Sequence, residues 1–237
     1  MIPGDDEVVV SYDDNGNNDT GSRTIGEHNR PASDGTFAYA YDNEGNRTRR
    51  TAGDGSYEVF IWDHRNRLTA VERFDDQDTL LASVAYVYDF ANRLVQRSLD
   101  ADGAGNDPAV VENYVYDGDQ IILRLDESQE VLNRYLWGPA VDQLLADEDA
   151  ADETVRWALG DHQNTVRDLA EFDDNGTPSD TSDDSTIIVD HRTYSAFGVT
   201  SYDSSSTVAT LFGYTGRLFD AAFGIQYNTN RWVLTCP

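Results

Sequence analysis

The chain has 237 residues, enough for one large or two modest domains. Its 44 acidic and 17 basic residues leave a formal charge of -27, which excludes the basic footprint of a nucleic-acid binder and disfavours an anionic membrane surface. Cys236 is the single cysteine, so no disulfide within the chain is available, and no apolar run is long enough to cross a membrane as a helix. The acidity reads as a heavily solvated exterior, and arginine carries the positive charge, which suits stacking on aromatic faces.

Residues 1–35 are polar and glycine-rich, and the acidic start has no signal-peptide pattern. Val8, Val9, Val10 and Tyr12 suit one strand, and Tyr12-Asp13 with Gly16-Asn17 reads as a worn copy of a repeat. That repeat is clear from residue 36 to about 130. Tyr39 and Tyr41 precede Asp42, Phe60 and Trp62 precede Asp63, Tyr86 and Tyr88 precede Asp89, and Tyr114 and Tyr116 precede Asp117. Aromatics one and three places before the Asp share one face of a strand. The small or β-branched Ala40, Ile61, Val87 and Val115 take the other face. Turn chemistry follows: Gly45-Asn46-Arg47, Asn66-Arg67-Leu68, Asn92-Arg93-Leu94 and, degenerate, Gly118-Asp119-Gln120. The anchoring Asp advances by 21, 26 and 28 residues, the mark of an array in which one hairpin must stack on the next. Tyr86 and Tyr88 are expected to pack on neighbouring repeats, with Tyr114 and Tyr116 as partners. Arg67 and Arg93 are expected to brace adjacent turns.

Asp100-Ala101-Asp102-Gly103 and Asp173-Asp174-Asn175-Gly176 open like calcium loops. The twelfth position is Val111 from Asp100 and Asp184 from Asp173, and neither loop is flanked by convincing helices, so both read as flexible acidic turns. From Val131 the pattern changes. Tyr135-Leu136-Trp137-Gly138-Pro139 reads as a strand ending in a turn, residues 146–153 as an acidic loop, and Val155–Leu159 as a strand before the turn Gly160–Asn164. Residues 173–185 read as a mobile acidic loop. Strands are expected from Ile187 towards Tyr194 and over residues 207–212, with one helical turn at most at 218–222.

The repeats and the later motifs together resemble the RHS/YD-repeat family and its RHS-repeat-associated core domain. The core-domain likeness is carried by Trp137-Gly138, by Asp161, His162 and Arg167, by Tyr194, Phe197 and Gly198, and by the run Phe212, Thr215, Gly216, Arg217, Asp220, Gly224, Tyr227, Arg231 and Trp232. It divides the chain into a polar segment 1–35, YD repeats 36–130 and a core domain 131–237. The resemblance implies a β-strip that spirals into a hollow shell, enclosing a toxic domain in bacterial members and forming part of an adhesion protein in animal ones. It also implies an Asp-Pro tail with self-cleaving aspartates. Val233–Pro237 stands where that tail is expected, so the chain reads as truncated before it.

No chemistry emerges from the residues themselves. His28, His64, His162 and His191 lack metal-ligand spacing, Ser195 is in no nucleophile elbow, and Cys236 has no partner in sequence. The expectation is an all-β protein of antiparallel hairpins in a curved strip. It is a non-catalytic shell fragment without cofactor, exported as part of a longer chain, or cytoplasmic if expressed alone. Its partners are the rest of the shell, an enclosed toxin domain, or another copy at the open sheet edges. The alternatives are an aspartyl autoprotease lacking its catalytic tail and a surface module that binds glycans through Tyr and Trp.

Overall fold

The computed structural model describes residues 11–196, 198–204, 208, 210–229 and 231–234. Two compact units are present, one of Met1–Ala85 with Asp100–Pro108, the other of Tyr86–Leu99 with Ala109–Pro237. The first holds β1 (Thr24–Ile25), β2 (Pro31–Ser33), β3 (Phe37–Tyr41), β4 (Arg47–Ala52), β5 (Tyr57–Trp62), β6 (Leu68–Phe74) and most of β7 (Leu80–Tyr88). The second holds the end of β7, then β8 (Leu94–Asp100), β9 (Val110–Asp117), β10 (Gln120–Leu125), β11 (Val131–Trp137) and β12 (Leu144–Asp149). It continues with β13 (Val155–Gly160), β14 (Val166–Asp173), β15 (Ser185–Tyr194), β16 (Thr200–Asp203), β17 (Leu218–Asp220), β18 (Ile225–Tyr227) and β19 (Trp232–Leu234). The first sixteen strands pair in chain order as one antiparallel sheet that does not close, and β17–β19 form a separate three-stranded sheet. The described helical residues amount to two 3-10 turns, at Glu27–Asn29 and Tyr214–Gly216, and none crosses a membrane.

One turn design makes most of these hairpins. The Asp63 N–H donates to the Arg67 carbonyl at 2.9 Å, and the Asn66 N–H returns a bond to the Asp63 carbonyl at 3.0 Å. Asn66 has φ 58°, the left-handed geometry that Asn tolerates and that shifts the register by one residue at Trp62. Asp63 Oδ1 accepts the N–H groups of Arg65 and Arg67, which turns the loop's own donors inward. The same backbone and carboxylate bonds recur at Asp42, Asp89 and Asp161. They recur at Asp13 too, where Asp13 Oδ1 accepts from Asn15 and Asn17. Val8–Val10 lie outside the described residues.

Several expectations are corrected. Asp117 makes no such turn: it is exposed and faces Gln120 across a two-residue hairpin through Gly118, φ 58°. Asp75 and Asp126 build the same five-residue turn without the pair of aromatics: Asp75 has Phe74 alone before it, and Asp126 has none. The first half of the acidic stretch 146–153 is strand, where Ala146 and Asp147 alternate between the two faces of β12 and both are buried; the turn follows from Ala150. Leu218–Asp220 is strand rather than helical turn, held by pairing with β18. Of residues 207–212, those described form only an isolated bridge, Phe212 with Leu218. The carboxylates of Asp100 and Asp173 bond backbone N–H groups of their own turns. No group of three or more His, Cys, Asp or Glu among the described residues is placed to hold a metal ion.

Candidate functional site, an aromatic face and the segment seated on it

Alternation sends the two aromatics of each repeat to one face, and the two positions differ in chemistry. In five hairpins the aromatic just before the turn donates a hydrogen bond to a carbonyl of an earlier strand. Trp62 Nε1 reaches the Arg47 carbonyl at 2.8 Å, Tyr116 Oη that of Leu94 at 2.8 Å, and Trp137 Nε1 that of Ile121 at 2.7 Å. Tyr41 Oη donates to the Pro31 carbonyl at 3.0 Å and Tyr194 Oη to that of Val166 at 3.2 Å. Tyr or Trp supplies the polar tip in these five, whereas Phe74, before the Asp75 turn, stacks on Tyr57 with centroids 4.9 Å apart. The position two residues earlier has no such duty and takes Phe60 in one copy.

Turns are clamped by the side chain that follows the Asp. Arg67 bonds Asp63 through Nε at 2.8 Å and Nη2 at 2.6 Å, and Arg93 bonds Asp89 at 2.8 Å through both. Partial burial works against the Asp63 charge, but the Arg67 guanidinium and the turn N–H groups override it and hold the carboxyl at about 2. In the Asp42 turn, where Gly45 has φ 95°, Asn46 does the clamping at 2.9 Å and Arg47 instead lies 4.2 Å over the Tyr39 ring. Of the two arginines expected to brace neighbouring turns, Arg93 does so, and Asn46 makes a second bond between turns. Arg93 Nη1 donates to the Gly118 carbonyl at 2.7 Å, and Asn46 Nδ2 to Asn66 Oδ1 at 2.9 Å.

Charged rows cross the same face. Glu58 sits opposite both Arg50 and Arg73 and binds them at 2.6 and 2.9 Å. In the second unit Glu112 sits opposite Arg97 and accepts bonds from Arg97, Arg124 and Tyr114. Sequence reading missed these rows. Their signal is a charge at an inward position of an alternating strand, as with Glu58 beside Phe60.

In the second unit, residues 211–229 and 231–234 are seated on this face. Phe212 meets Tyr135 and Trp137 edge-on, with centroids 5.0 and 4.8 Å apart. The Thr215 N–H donates to Thr165 Oγ1 at 3.0 Å, and Arg217 pairs with Asp142 at 2.6 Å. Gly216, φ 66°, packs so closely that a Cβ there would lie 2.1 Å from the Asp142 carbonyl oxygen. Asp220, 2% exposed, receives the Arg97 fork at 2.7 and 2.8 Å and the Tyr86 hydroxyl at 2.6 Å. Burial and then the Asp220 charge push the Tyr86 hydroxyl far above its ordinary value. Burial disfavours the Arg97 charge, but the bonds to Asp220 more than restore it. Tyr227 Oη donates to the Asn92 carbonyl at 2.8 Å.

The ring partners of Tyr86 and Tyr88 therefore come from a distant part of the chain. Trp232 lies 4.4 Å from Tyr86 and donates to the Tyr88 hydroxyl at 2.7 Å, and Tyr227 lies 6.3 Å from Tyr88. The seated run thus takes the place expected for Tyr114 and Tyr116. Of the remaining motif residues, Asp161 is held by its turn and by Arg167 at 2.9 Å, and Arg167 lies 5.5 Å from the Tyr194 ring centre. Gly138 bonds the Gln143 carbonyl, and Gly198 and Gly224 have positive φ in turns. His162 and Arg231 are exposed, and Phe197 and Cys236 lie outside the described residues. His191 Nδ1 lies 2.6 Å from Asp168 Oδ1.

No protein-family model matches the chain, and no curated protein matches it. Among solved structures it is similar to TcdB2-TccC3 without its hypervariable C-terminal region, at 11% identity and a TM-score of 0.38 over 95% of this chain and 17% of that one. It is similar also to TcdB2-TccC3, at 10% and 0.33 over 94% and 19%. A Photorhabdus luminescens Tc holotoxin pore follows at 11% and 0.29 over 94% and 18%. The chain spans less than a fifth of the length of each of these chains.

Proposed function

We propose that this chain is a non-catalytic segment of an RHS/YD-repeat shell, in which repeated hairpins extend the wall and residues 211–229 and 231–234 seal part of its aromatic face. One observation carries this reading. The residues that define the motifs hold turns, strands and the seated run: Asp63 and Asp89 clamp their arginines, Trp62 and Trp137 tie strand to strand, and Asp220 locks Arg97 and Tyr86. A carboxylate bound by a guanidinium and backbone donors is a poor general acid or base. The domain division at 35 and 130, export within a longer chain, and a cargo or further shell as partner belong to the same proposal.

Two measurements test it. Purified protein held for days at pH 5 and pH 7 should keep its intact mass. A single internal cut that disappears when one Asp becomes Asn would support the aspartyl autoprotease instead. Electron microscopy of the longest translation product that contains the chain should show a particle with a lumen, and a particle without one would refute the shell.

A further inference from the structure

Three inward positions of β10, β11 and β12 converge in the second unit. Arg124 lies opposite Asn133, and Tyr135 lies opposite Asp147. Asn133 Nδ2 donates to Asp147 Oδ1 at 2.7 Å, which ties the two pairs together. Tyr135 is 6% exposed and Asp147 1%, and Phe212 closes edge-on over the Tyr135 ring. Three buried polar atoms here have no hydrogen-bond partner: Arg124 Nε, Tyr135 Oη and Asp147 Oδ2. Buried groups of this kind are almost always bonded, so a cluster of three marks a bound molecule.

The chemistry of the cluster selects that molecule. Arg124 Nε only donates, an ionised Asp147 only accepts, and the Tyr135 hydroxyl does either. Arg124 also pairs with Glu112 at 3.3 Å and Thr210 bonds the Asp147 carboxylate, so the space is bounded by one guanidinium and two carboxylates that already have partners: an anion meets the carboxylates, and no group of three metal ligands is placed there among the described residues. Burial first, then the charge of Asp147 and, less, that of Glu112, push the Tyr135 hydroxyl well above its ordinary value, and Arg124 opposes them. A neutral molecule that both donates and accepts fits, and three polar partners are what a buried water has. We propose that this sheet holds one internal water, accepting from Arg124 Nε, donating to Asp147 Oδ2 and bonded to Tyr135 Oη. It links three strands where no side chain of the seated run does so. For Tyr86 and Arg97 that office belongs to the Asp220 carboxylate.

A crystal structure of the whole chain with ordered waters visible tests the proposal. A single peak within bonding distance of all three atoms is expected. No peak, with Tyr135 Oη bonded directly to Asp147, would overturn it. Oxygen-17 relaxation dispersion gives a second readout in solution. Tyr135→Phe keeps the shape and removes one of the three bonds, so the slowest internal water should exchange about tenfold faster, the factor for one hydrogen bond. An unchanged dispersion profile in a folded Tyr135→Phe variant would equally overturn the assignment.

Discussion

Replacing Asp220 by alanine removes the acceptor of three side-chain bonds at once: two from Arg97 and one from Tyr86. The Asp220 side chain is 0% exposed and that of Arg97 11%, so water cannot fully replace the lost partner. Breaking a buried ion pair from one side costs about 3–5 kcal/mol, and the longer Glu112 bond left to Arg97, at 3.4 Å, puts the loss at the low end, about 3 kcal/mol. Against a usual stability of about 5–15 kcal/mol, that is a large fraction. Urea unfolding followed by tryptophan fluorescence should place the midpoint about 1–2 M lower, with Trp232 reporting beside Tyr86. The double variant Asp220→Leu with Arg97→Met leaves no orphan charge, so it should be more stable than the sum of the single changes by about 2 kcal/mol. An Asp220→Ala midpoint within about 0.3 M of wild type, or strictly additive single changes, would refute the idea that this carboxylate locks the run onto the sheet.

Other outcomes follow from the turns and edges. Asp63 sits at about 2 in the fold against 3.8 unfolded, so its stabilisation is complete above pH 3.8 and is lost as pH falls through 2. After solvent screening this is about 1 kcal/mol, and Asp63→Asn should flatten acid unfolding in that window. Asn92 has φ 69°, so Asn92→Val should lower stability by about 1–3 kcal/mol while Asn92→Gly changes it little. Calorimetry should separate those two variants cleanly, and equal melting temperatures would count against the left-handed turn. The sheet's unpaired outer strands are templates for pairing, opposed by a formal charge of -27. Salt screens such repulsion beyond about 8 Å at physiological strength, so sedimentation should show association rising with salt. A clean monomer throughout would argue that the edges are protected.

Residue order alone settled what is local. Aromatics one and three places before an Asp made the hairpins legible, because side chains alternate along a strand and a short carboxylate bonds the N–H groups two and four residues on. That is also why the Asp13 turn was legible in a worn copy. The turns at Asp75 and Asp126 escaped because their geometry needs only the Asp and a residue tolerant of positive φ, and the aromatic pair is missing, with Phe74 alone before Asp75 and none before Asp126. The polar tips of Trp62, Tyr116 and Trp137 were visible, but not the carbonyls they serve, which are 15, 22 and 16 residues away. What only the tertiary structure decided is the partner of each buried charge. Asp220 lies 123 residues from Arg97 and 134 from Tyr86, and no period or spacing connects them. Burial makes that pairing obligatory, since an unpaired carboxylate on the inward face would be too costly to keep, and chain order says nothing of which segment comes to rest there.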